Sequence, residues 1–463
     1  MLEKVFKLTE HHTDVKTEIT AGITTFMTMA YILAVNPSIL GSTGMDSNAV
    51  LIATCIASFI GTLCMAFMAN LPFALSAGMG LNAYMAYTVV QGMELSWQIA
   101  LFAVFVEGIV FIIMSLTNVR EAIFNAIPLT LKKGVSVGIG LFIAFIGLQN
   151  AGLSVDASTL VTITSFTEDF HTKGICALLA VIGLLITAIF HIKKVKGGIL
   201  YGILITWGLG IICELTGIYT PDAELGAYSL LPAGIISTDF SALGKTFGQC
   251  FKIDFHAVGI FNFIVIVFSF LFVDLFDTLG TLIGVSTKAN MLDENGKLPN
   301  IKPALLSDAI ATSAGAILGT STTTTFVESS SGVAVGGRTG LTACTTGVLF
   351  LLATLFSPLF TSIPSFATAP ALIFVGFLMV SAIVKIDFND VTEAAPAYLC
   401  LIADTIPAYL CIIAMPLFYS ISEGICLGVI SYVILQACTG NAKKINPLMY
   451  VLAVLFIMKY IFL

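Results

Sequence analysis

The sequence predicts an all-α polytopic membrane protein with about fourteen transmembrane spans, and three observations support this prediction. Of its 463 residues, 57% are hydrophobic and only 10% are charged, whereas about 25% of the residues in a soluble domain are charged. The mean hydropathy is +1.01. Apolar runs close to the ~20 residues that cross a bilayer recur along the whole chain. No soluble domain fits between them, so residues 1–463 are predicted to form a single membrane domain.

The predicted spans are apolar runs that end at Gly, Pro, Asn or Lys. The first seven are predicted at 18–40, 48–69, 74–92, 96–115, 133–150, 174–191 and 198–216. The second seven are predicted at 257–285, 303–318, 322–338, 341–358, 366–384, 396–418 and 420–437. A further apolar stretch, 446–462, spans the membrane, lies in the interface or reflects a helix divided at the wrong residue.

The distribution of Lys and Arg predicts that the N-terminus is cytoplasmic. With this orientation, sixteen of the twenty basic residues, including Arg120 and Lys297, fall in inside segments. Only Lys173, Lys245 and Lys252 fall outside, as the positive-inside rule expects. The polar N-terminal residues lack the apolar core of a cleaved signal peptide. We therefore expect a multi-pass protein of the cell (plasma or inner) membrane whose first span directs insertion.

The segment 217–256 divides the spans into two groups of seven, approximately 17–216 and 257–438. Because seven is odd, two similarly folded halves would have opposite orientations, which is the inverted-repeat plan of many secondary transporters. The third span of each half, 74–92 or 322–338, is interrupted by Gly, Ser or Thr. A matched pair of interrupted spans predicts a solute site near the middle of the membrane.

The first candidate segment is FALSAGMGLNAYMAY, residues 73–87. Gly78, Gly80 and Asn82 interrupt an otherwise helical pattern, and glycine permits backbone geometry that exposes peptide groups to a ligand. Close packing of helices through small residues explains the same pattern equally well.

The second candidate segment is GTSTTTTFVESSSGVAVGGRTG, residues 319–340. Its mostly β-branched run predicts a short strand ending near Val327. A half-helix is then expected from Ser329, with exposed N–H groups that hold a carboxylate or an acceptor atom of a solute. The alternative is a polar outside loop, but no cluster of turn residues closes the stretch, and Glu328 falls well inside it.

The third candidate segment, residues 270–284, carries Asp274 and Asp277 three positions apart, so both can face one side of a helix. A carboxylate inside the membrane is costly and is by default a functional residue. The alternative is a structural pair satisfied by a neighbouring helix. Because this span contains no Lys or Arg, protonation or a solute partner is favoured over an internal ion pair.

These carboxylates indicate the chemistry of the solute. Desolvation favours the protonated form of a carboxylate, which can then carry a proton across the membrane. Carboxylates also accept the paired N–H bonds that purines and pyrimidines offer, whereas an anionic solute would favour Arg or Lys. Na⁺ coupling stays open, since unwound carbonyls and an Asp can bind Na⁺. No organic cofactor or metal is expected, because the ten cysteines form no CxxC pair.

The chain resembles the AzgA-like adenine/guanine/hypoxanthine permeases, a branch of the nucleobase–ascorbate transporter superfamily. The segments that carry this resemblance occur in the family's order and span nearly the whole chain: TEITAGITTFMTMAYILAVNP (17–37), SAGMGLNAYMAY (76–87), FVDLFDTLGTLIG (272–284), GTSTTTTFVESSSGVAVGGRTGLTA (319–343) and MPLFYSISEGI (415–425).

The resemblance implies fourteen spans in two inverted repeats, a core of spans 1–4 and 8–11, and a gate of spans 5–7 and 12–14. Short antiparallel strands in spans 3 and 10 would meet near the midplane. It implies the import of purine nucleobases, with proton symport expected, and a homodimer is possible; no nucleic-acid partner is expected.

The same resemblance assigns roles to individual residues. Asp274 and Glu328 would accept N–H bonds from the purine, and Asn82 would order the site. The remaining expected site residues have two roles. Three complete the contacts with the purine: Ala83, Val327 and Ser329. Five carry the proton or line the cavity: Asp277, Thr278, Thr25, Thr28 and Tyr31. Packing explains Thr25, Thr28 and Tyr31 equally well.

The sequence departs from the family pattern in one place. PAYLCLIA (396–403) recurs as PAYLCIIA (407–414), where the family has one copy. Eleven extra residues would lengthen the thirteenth span by about 16 Å and nearly keep its helical face. This insertion affects the expected gate more than the carboxylates.

Two other interpretations compete with a proton-coupled purine permease. The first is a transporter of the same fold for uracil, xanthine or an anion. The second is an intramembrane enzyme, which needs a nucleophile with a base or paired metal ligands. The five histidines all lie at span ends or in loops, and Ser329–Ser331 have no base except Glu328, so no enzyme is expected: His11, His12, His171, His191 and His256.

Overall fold

The computed structural model describes most of the chain, and the fold is almost entirely helical. The described residues are 2–117, 127–158, 160–222, 228–232, 234–253, 258–288, 291, 298–385 and 395–462. Arg120, Lys297 and His256, named above, lie outside these residues.

Helices of the first half follow the predicted spans closely. They are α1 Leu2–Phe6, α2 Val15–Met29, α3 Ile32–Gly41, α4 Ser47–Cys64, α5 Met79–Ala83, α6 Trp97–Leu116, α7 Leu129–Asn150, α8 Ile175–Ile192 and α9 Gly198–Leu215. Three π-helical segments extend α4, α5 and α8: Met65–Ala69, Tyr84–Gly92 and Phe170–Gly174.

The second half repeats this order of elements and adds one helix. Its helices are α10 Ile260–Lys288, α11 Ile301–Leu318, α12 Ser329–Val335, α13 Gly340–Ala353, α14 Ser357–Thr361, α15 Ser365–Val380, α16 Ala395–Leu417, α17 Ile421–Cys438 and α18 Pro447–Phe462. Every predicted span coincides with one of the elements of either half, and the stretch 446–462 forms α18. Among the described residues, nine helices are long and apolar enough to cross a membrane, and further apolar helices are shorter.

Side chains at the helix starts explain several of these boundaries. Asp14 accepts hydrogen bonds from the amides of Lys16 and Thr17 and so caps α2. Asp46 caps α4 and Ser420 caps α17 in the same way. Short polar side chains at this position satisfy amides that have no acceptor within the helix.

Spans 3 and 10 are each part strand and part helix, as the sequence predicts. Strand β1, Leu75–Ala77, pairs with β4, Thr323–Thr325, in antiparallel register. Each strand leads into a half-helix, α5 after β1 and α12 after β4. The strands of two segments with opposite orientation must meet antiparallel, which agrees with the predicted relation between the two halves.

Two features of the loops are not expected from the sequence. Strands β2, Ser154–Ala157, and β3, Leu160–Ile163, form a hairpin after α7. The segment after α9 is not a free linker, because the Thr246 hydroxyl donates to Leu318 O at the end of α11. Lys245 pairs with Asp46. Burial acts to raise the pKa of Asp46, but its bonds to Lys245 and to backbone amides outweigh burial and lower it.

The most extensive helix contacts fall into two sets. In the first bundle, α11 packs on α4 and α6, and α13 packs on α2 and α4. In the second bundle, α15 packs on α7 and α8, and α16 packs on α7 and α17. These sets match the spans predicted as core and gate, whose functional division stays a prediction.

The duplicated segment 396–414 lies in one helix. Helix α16 has 23 residues and is therefore about 34 Å long. Its second copy packs tightly on α7, since a Cβ added to Gly134 would come within 2.9 Å of Ala408.

Candidate solute-binding site

The strand pair and the two half-helices lie at the centre of the first bundle. The Gly78 amide donates to Thr322 O (3.0 Å), and the Phe326 amide donates to Ala74 O (3.0 Å), so the pairing extends past both ends of the ladder. Gly78 has no space for a side chain: an added Cβ would lie 2.8 Å from Thr324 Cγ2 and 3.5 Å from Asp277 Oδ2. Glycine is needed here because the strand and a carboxylate approach so closely.

Glu328 stands at the start of α12 and is half-buried. The hydroxyl of Tyr31, at the break between α2 and α3, donates to Glu328 Oε1 (2.7 Å). One turn further along α12, the Ser331 and Thr28 hydroxyls are hydrogen-bonded (2.8 Å). The first span therefore holds one oxygen of Glu328, and it leaves the second oxygen for another donor.

Asp277 is the second carboxylate of the site and is also half-buried. It lies close enough to Glu328 for their charges to interact, and the Tyr31 hydroxyl interacts electrostatically with both carboxylates. Because a Cβ added to Gly78 would lie 3.5 Å from its Oδ2, the carboxylate faces the start of α5. The first-turn amides of a helix have no acceptor within the helix, so donors from the backbone and acceptors from the side chains meet at this point.

Asp274 has a different environment from Asp277. It is fully buried, and its Oδ1 lies 2.8 Å from the Thr278 hydroxyl. This hydroxyl also lies 3.0 Å from Asp308 Oδ2 and 2.6 Å from Thr324 Oγ1. The charge of Asp277 thus interacts with those of both Asp308 and Glu328, while Asp274 is connected to the strand through Thr278 and Thr324.

The hydroxyls from Thr320 to Thr325 connect the strand to surrounding helices. The partners come from six helices: Asn36 and Thr54 on Thr320, Asn82 on Ser321, Glu107 on Thr322, Thr278 on Thr324 and Asp308 on Thr325. These bonds satisfy buried hydroxyls inside the membrane, where an unsatisfied polar group is costly. They also fix the strand that carries Glu328.

Of the other predicted site residues, some lie at the site and some are buried or used in packing contacts. Asn82 Oδ1 accepts from the Ser321 hydroxyl, and Val327 is exposed. Ala83 is buried. The Ser329 hydroxyl accepts from the Ala74 amide (3.0 Å) and so is used within the fold instead of facing a solute. Thr25 packs against α12, since a Cβ at Gly332 would overlap its hydroxyl.

One expectation is wrong in detail. The amides at the start of α12 are not free for a solute: Ser329, Ser330 and Ser331 donate to Phe326 O, Val327 O and Glu328 O at 3.2, 3.0 and 2.9 Å. A tight turn therefore uses these donors. The side chain of Glu328 remains available at this end of the helix.

Three buried carboxylates escape the sequence analysis. Glu107 in α6, Asp308 in α11 and Glu18 in α2 are all fully buried. Each lies inside a predicted span, so the rule that singled out Asp274 would also have found them. None of the three lies in the interrupted spans 3 and 10 or in α10.

A cavity of about 320 Å³ lies elsewhere, lined by Met68, Ser115, Leu116, Lys302, Pro303 and Leu306. It opens between the ends of α4, α6 and α11 and contains no carboxylate. Its lining includes Lys302 and Ser115 but lacks the paired carboxylates of the strand pair, so the strand pair remains the candidate site for a solute with N–H donors. Among the described residues, no group of His, Cys, Asp and Glu could hold a metal ion.

Comparisons with known proteins agree with this architecture. Residues 16–417 match the model of the Permease family (Xan_ur_permease). The chain is 44% identical to the guanine/hypoxanthine permease PbuO of Bacillus subtilis, covering 98% of each protein. It is 41% identical to the adenine permease AdeP of Escherichia coli, covering 100% of this chain and 96% of that protein.

A solved structure shares the fold. The transmembrane domain of the cyanobacterial bicarbonate transporter BicA matches with a TM-score of 0.60 at 14% identity, covering 89% of this chain and 97% of that domain. The resemblance to AzgA-like permeases is thus confirmed, and the protein is a transporter and not an enzyme. The chain is an integral membrane protein that belongs to the permease family of the nucleobase–ascorbate transporter superfamily.

Proposed function

We propose that this protein imports purine nucleobases (adenine, guanine or hypoxanthine) across the cell membrane together with protons. The observation that carries the proposal is the pair of half-buried carboxylates, Asp277 and Glu328, at the strand pair. The names of the relatives, adenine permease and guanine/hypoxanthine permease, support the same class of solute.

The carboxylates fit the hydrogen-bonding edge of a purine. Purines present adjacent N–H donors, and an ionised carboxylate accepts such donors with short, charge-assisted bonds. Tyr31 occupies Glu328 Oε1, so Oε2 is assigned to the solute. In this proposal Asp277 takes the second acceptor position in place of Asp274. The amides at the start of α5 would serve acceptor atoms of the ring.

An anionic solute fits this site less well. No Lys or Arg occurs in residues 74–92, 260–287 or 319–337, and two carboxylates would repel an anion. A neutral ring with several N–H groups gains from the same charges. This argues for a nucleobase over an anion, although the fold is shared with a bicarbonate transporter.

Proton coupling is assigned to Asp274 and Asp308. The Thr278 hydroxyl lies within hydrogen-bonding distance of both carboxyl groups but has one hydrogen to donate. Two ionised carboxylates around one hydroxyl leave one contact unsatisfied, whereas a shared proton satisfies both. The cluster touches Thr324, so its protonation can affect the strand beside the substrate carboxylates.

Orientation and movement complete the proposal. Positive-inside counting supports a cytoplasmic N-terminus. The first bundle would move as the core against the second as the gate and expose the site alternately to each side. A homodimer is expected from the superfamily resemblance alone.

The test is uptake of radiolabelled adenine, guanine and hypoxanthine by cells that lack their own purine permeases. Glu328→Gln and Asp277→Asn should abolish saturable uptake while reaching the membrane in normal amounts. Asp156→Asn, an exposed acid in the β2–β3 hairpin, is the matched control and should retain uptake. If the unaltered protein is present in the membrane and carries none of the three purines, the proposed substrate is wrong.

Coupling is tested in the same cells. Uptake should rise as the external pH falls, stop with a protonophore and persist when Na⁺ is replaced by choline. Asp308→Asn should remove the dependence on the proton gradient. Uptake that survives the protonophore but requires Na⁺ would reject proton symport and favour Na⁺ coupling.

A further inference from the structure

A buried acid, Glu18, lies far from Asp277 and Glu328 and has no role in the proposed transport. Glu18, in the first turn of α2, is fully buried. Its Oε1 accepts from the Arg338 amide (2.8 Å). Its Oε2 accepts from the Thr339 hydroxyl (2.8 Å) and from the hydroxyl and amide of Thr342 (2.6 and 3.1 Å). All of these groups donate to Glu18, so its side chain acts as an acceptor that organises one segment of backbone.

That segment is the turn between the half-helix α12 and α13. Helix α12 ends at Gly336, whose φ of +117° lies in the left-handed region. The Arg338 guanidinium donates to Val333 O and Gly337 O (both 2.7 Å) and so closes the end of α12. Thr339 caps α13. Glu18 therefore binds the turn that follows α12 and the first turn of α13 at once.

The same face of α2 contacts α12 along its whole length. Gly332 lies against α2, since an added Cβ would come within 2.8 Å of Ala21 O. Thr28 bonds Ser331, and Tyr31 bonds Glu328 at the other end. Positions 18, 21 and 28 share one face of α2 because of its 3.6-residue period, and Tyr31 follows at the break after this helix.

Helix α12 has only seven residues, so its local sequence contributes little to its stability. Its position must come from contacts with neighbours, and contacts at both ends fix it best. We propose that Glu18 is a positioning residue: it anchors the turn that follows α12 to α2, and thereby limits the movement of α12 and holds Glu328 in place for the solute. This inference rests on the proposed function only in taking Glu328 to be the substrate carboxylate.

The first test separates binding from transport rate. Glu18→Gln introduces an amide whose N–H₂ opposes the surrounding donors, so α12 should shift. We expect the KM for purine uptake to rise at least about five-fold with the maximal rate changed less than two-fold. Glu18→Asp keeps the charge and should restore part of the lost affinity. An unchanged KM in Glu18→Gln would overturn the proposal.

The matched control is Thr346→Val. Thr346 ties α13 to α2 through its hydrogen bond to Gly22 O (2.9 Å), and it does not contact α12. Its loss should leave KM within two-fold of the parent. If Glu18→Gln does not reach the membrane, Thr342→Val removes one donor from Glu18 and should shift KM in the same direction by a smaller factor. An equal rise of KM in Thr346→Val would show general loosening of the bundle and contradict a specific anchor.

A second measurement needs no solute. The Thr28 and Ser331 hydroxyls are 2.8 Å apart, so Thr28→Cys with Ser331→Cys should form a disulfide on mild oxidation. Peptide mass spectrometry gives its rate, and Glu18→Gln should slow it at least about five-fold, whereas Thr346→Val should not. Equal rates with and without Glu18 would reject the positioning role. If the rate falls but the parent carries no purine, the proposed function fails while the anchoring of α12 stands.

Discussion

At the residue scale, Asp274 and Asp277 show what three positions of separation on a helix can hide. Both occupy α10, and both were expected on one side of it. Their environments differ because Asp274 lies against the Thr278 hydroxyl, which it shares with Asp308, whereas Asp277 is opposite Gly78, which has no side chain to cover it. Spacing alone shows which residues share a face, and the neighbouring helix decides which of them meets the solute.

The two aspartates should therefore respond differently to loss of charge. Asp277→Asn should weaken purine binding to purified protein about ten-fold or more, since a hydrogen bond to a charged group is worth about 1.5–3 kcal/mol and 1.4 kcal/mol is ten-fold. Asp274→Asn should change binding less and alter the pH dependence of uptake. Equilibrium binding of radiolabelled hypoxanthine measures the first effect. The reverse pattern would return the substrate role to Asp274.

Tyr31 is the second prediction at this scale. Its hydroxyl donates to Glu328 Oε1 (2.7 Å), so Tyr31→Phe leaves the carboxylate free to rotate and should weaken purine binding about ten-fold. Tyr450→Phe is the control, because its hydroxyl donates to Ala442 O in another part of the protein. Similar affinities for the two variants would show that Tyr31 only fills space.

At the scale of elements, the sequence predicts the strand from its threonines but not the partners of their hydroxyls. A β-branched run favours an extended backbone, and matched interruptions in two spans place both strands. The register, with Ser76 opposite Thr324, and the bonds to Glu107 and Asp308 depend on the packing of distant helices. The same reason explains the missed hairpin after α7, whose strands are short and largely exposed.

Gly78 tests the strand pair as a unit. In Gly78→Ala the new methyl would lie 2.8 Å from Thr324 Cγ2, so β1 and β4 must separate at a cost of about 1–3 kcal/mol. The methyl would also crowd Asp277. We expect loss of purine uptake with protein still in the membrane. Gly208→Ala, with no atom within 4 Å of the added Cβ, should transport normally; normal transport by Gly78→Ala would contradict the close approach.

At the scale of the whole molecule, one set of contacts between the two bundles lies on the side opposite to the start of α2. The Asn150 amide donates to the Tyr87 hydroxyl (3.2 Å), and the Thr88 hydroxyl donates to Tyr419 O (3.3 Å). On the other side, α12 leaves Val327 exposed. The spans could be predicted because each needs ~20 apolar residues. The contacts between the bundles could not be predicted, because they depend on which ends of separate helices touch.

Ser269 and Ser422 offer a direct test of movement between the bundles. They lie in α10 and α17, with their hydroxyls 2.9 Å apart, so Ser269→Cys with Ser422→Cys should form a disulfide. If transport requires the bundles to separate on this side, oxidation should stop purine uptake and dithiothreitol should restore it. The control is a pair within the first bundle, Ser58→Cys with Ser76→Cys, whose hydroxyls are 2.8 Å apart in the parent. Both pairs add one covalent bond at a similar distance, and only the first joins the two bundles. Uptake that continues in the oxidised Ser269–Ser422 pair would show that the bundles carry solute without separating here, whereas equal loss in both pairs would locate the effect within the first bundle.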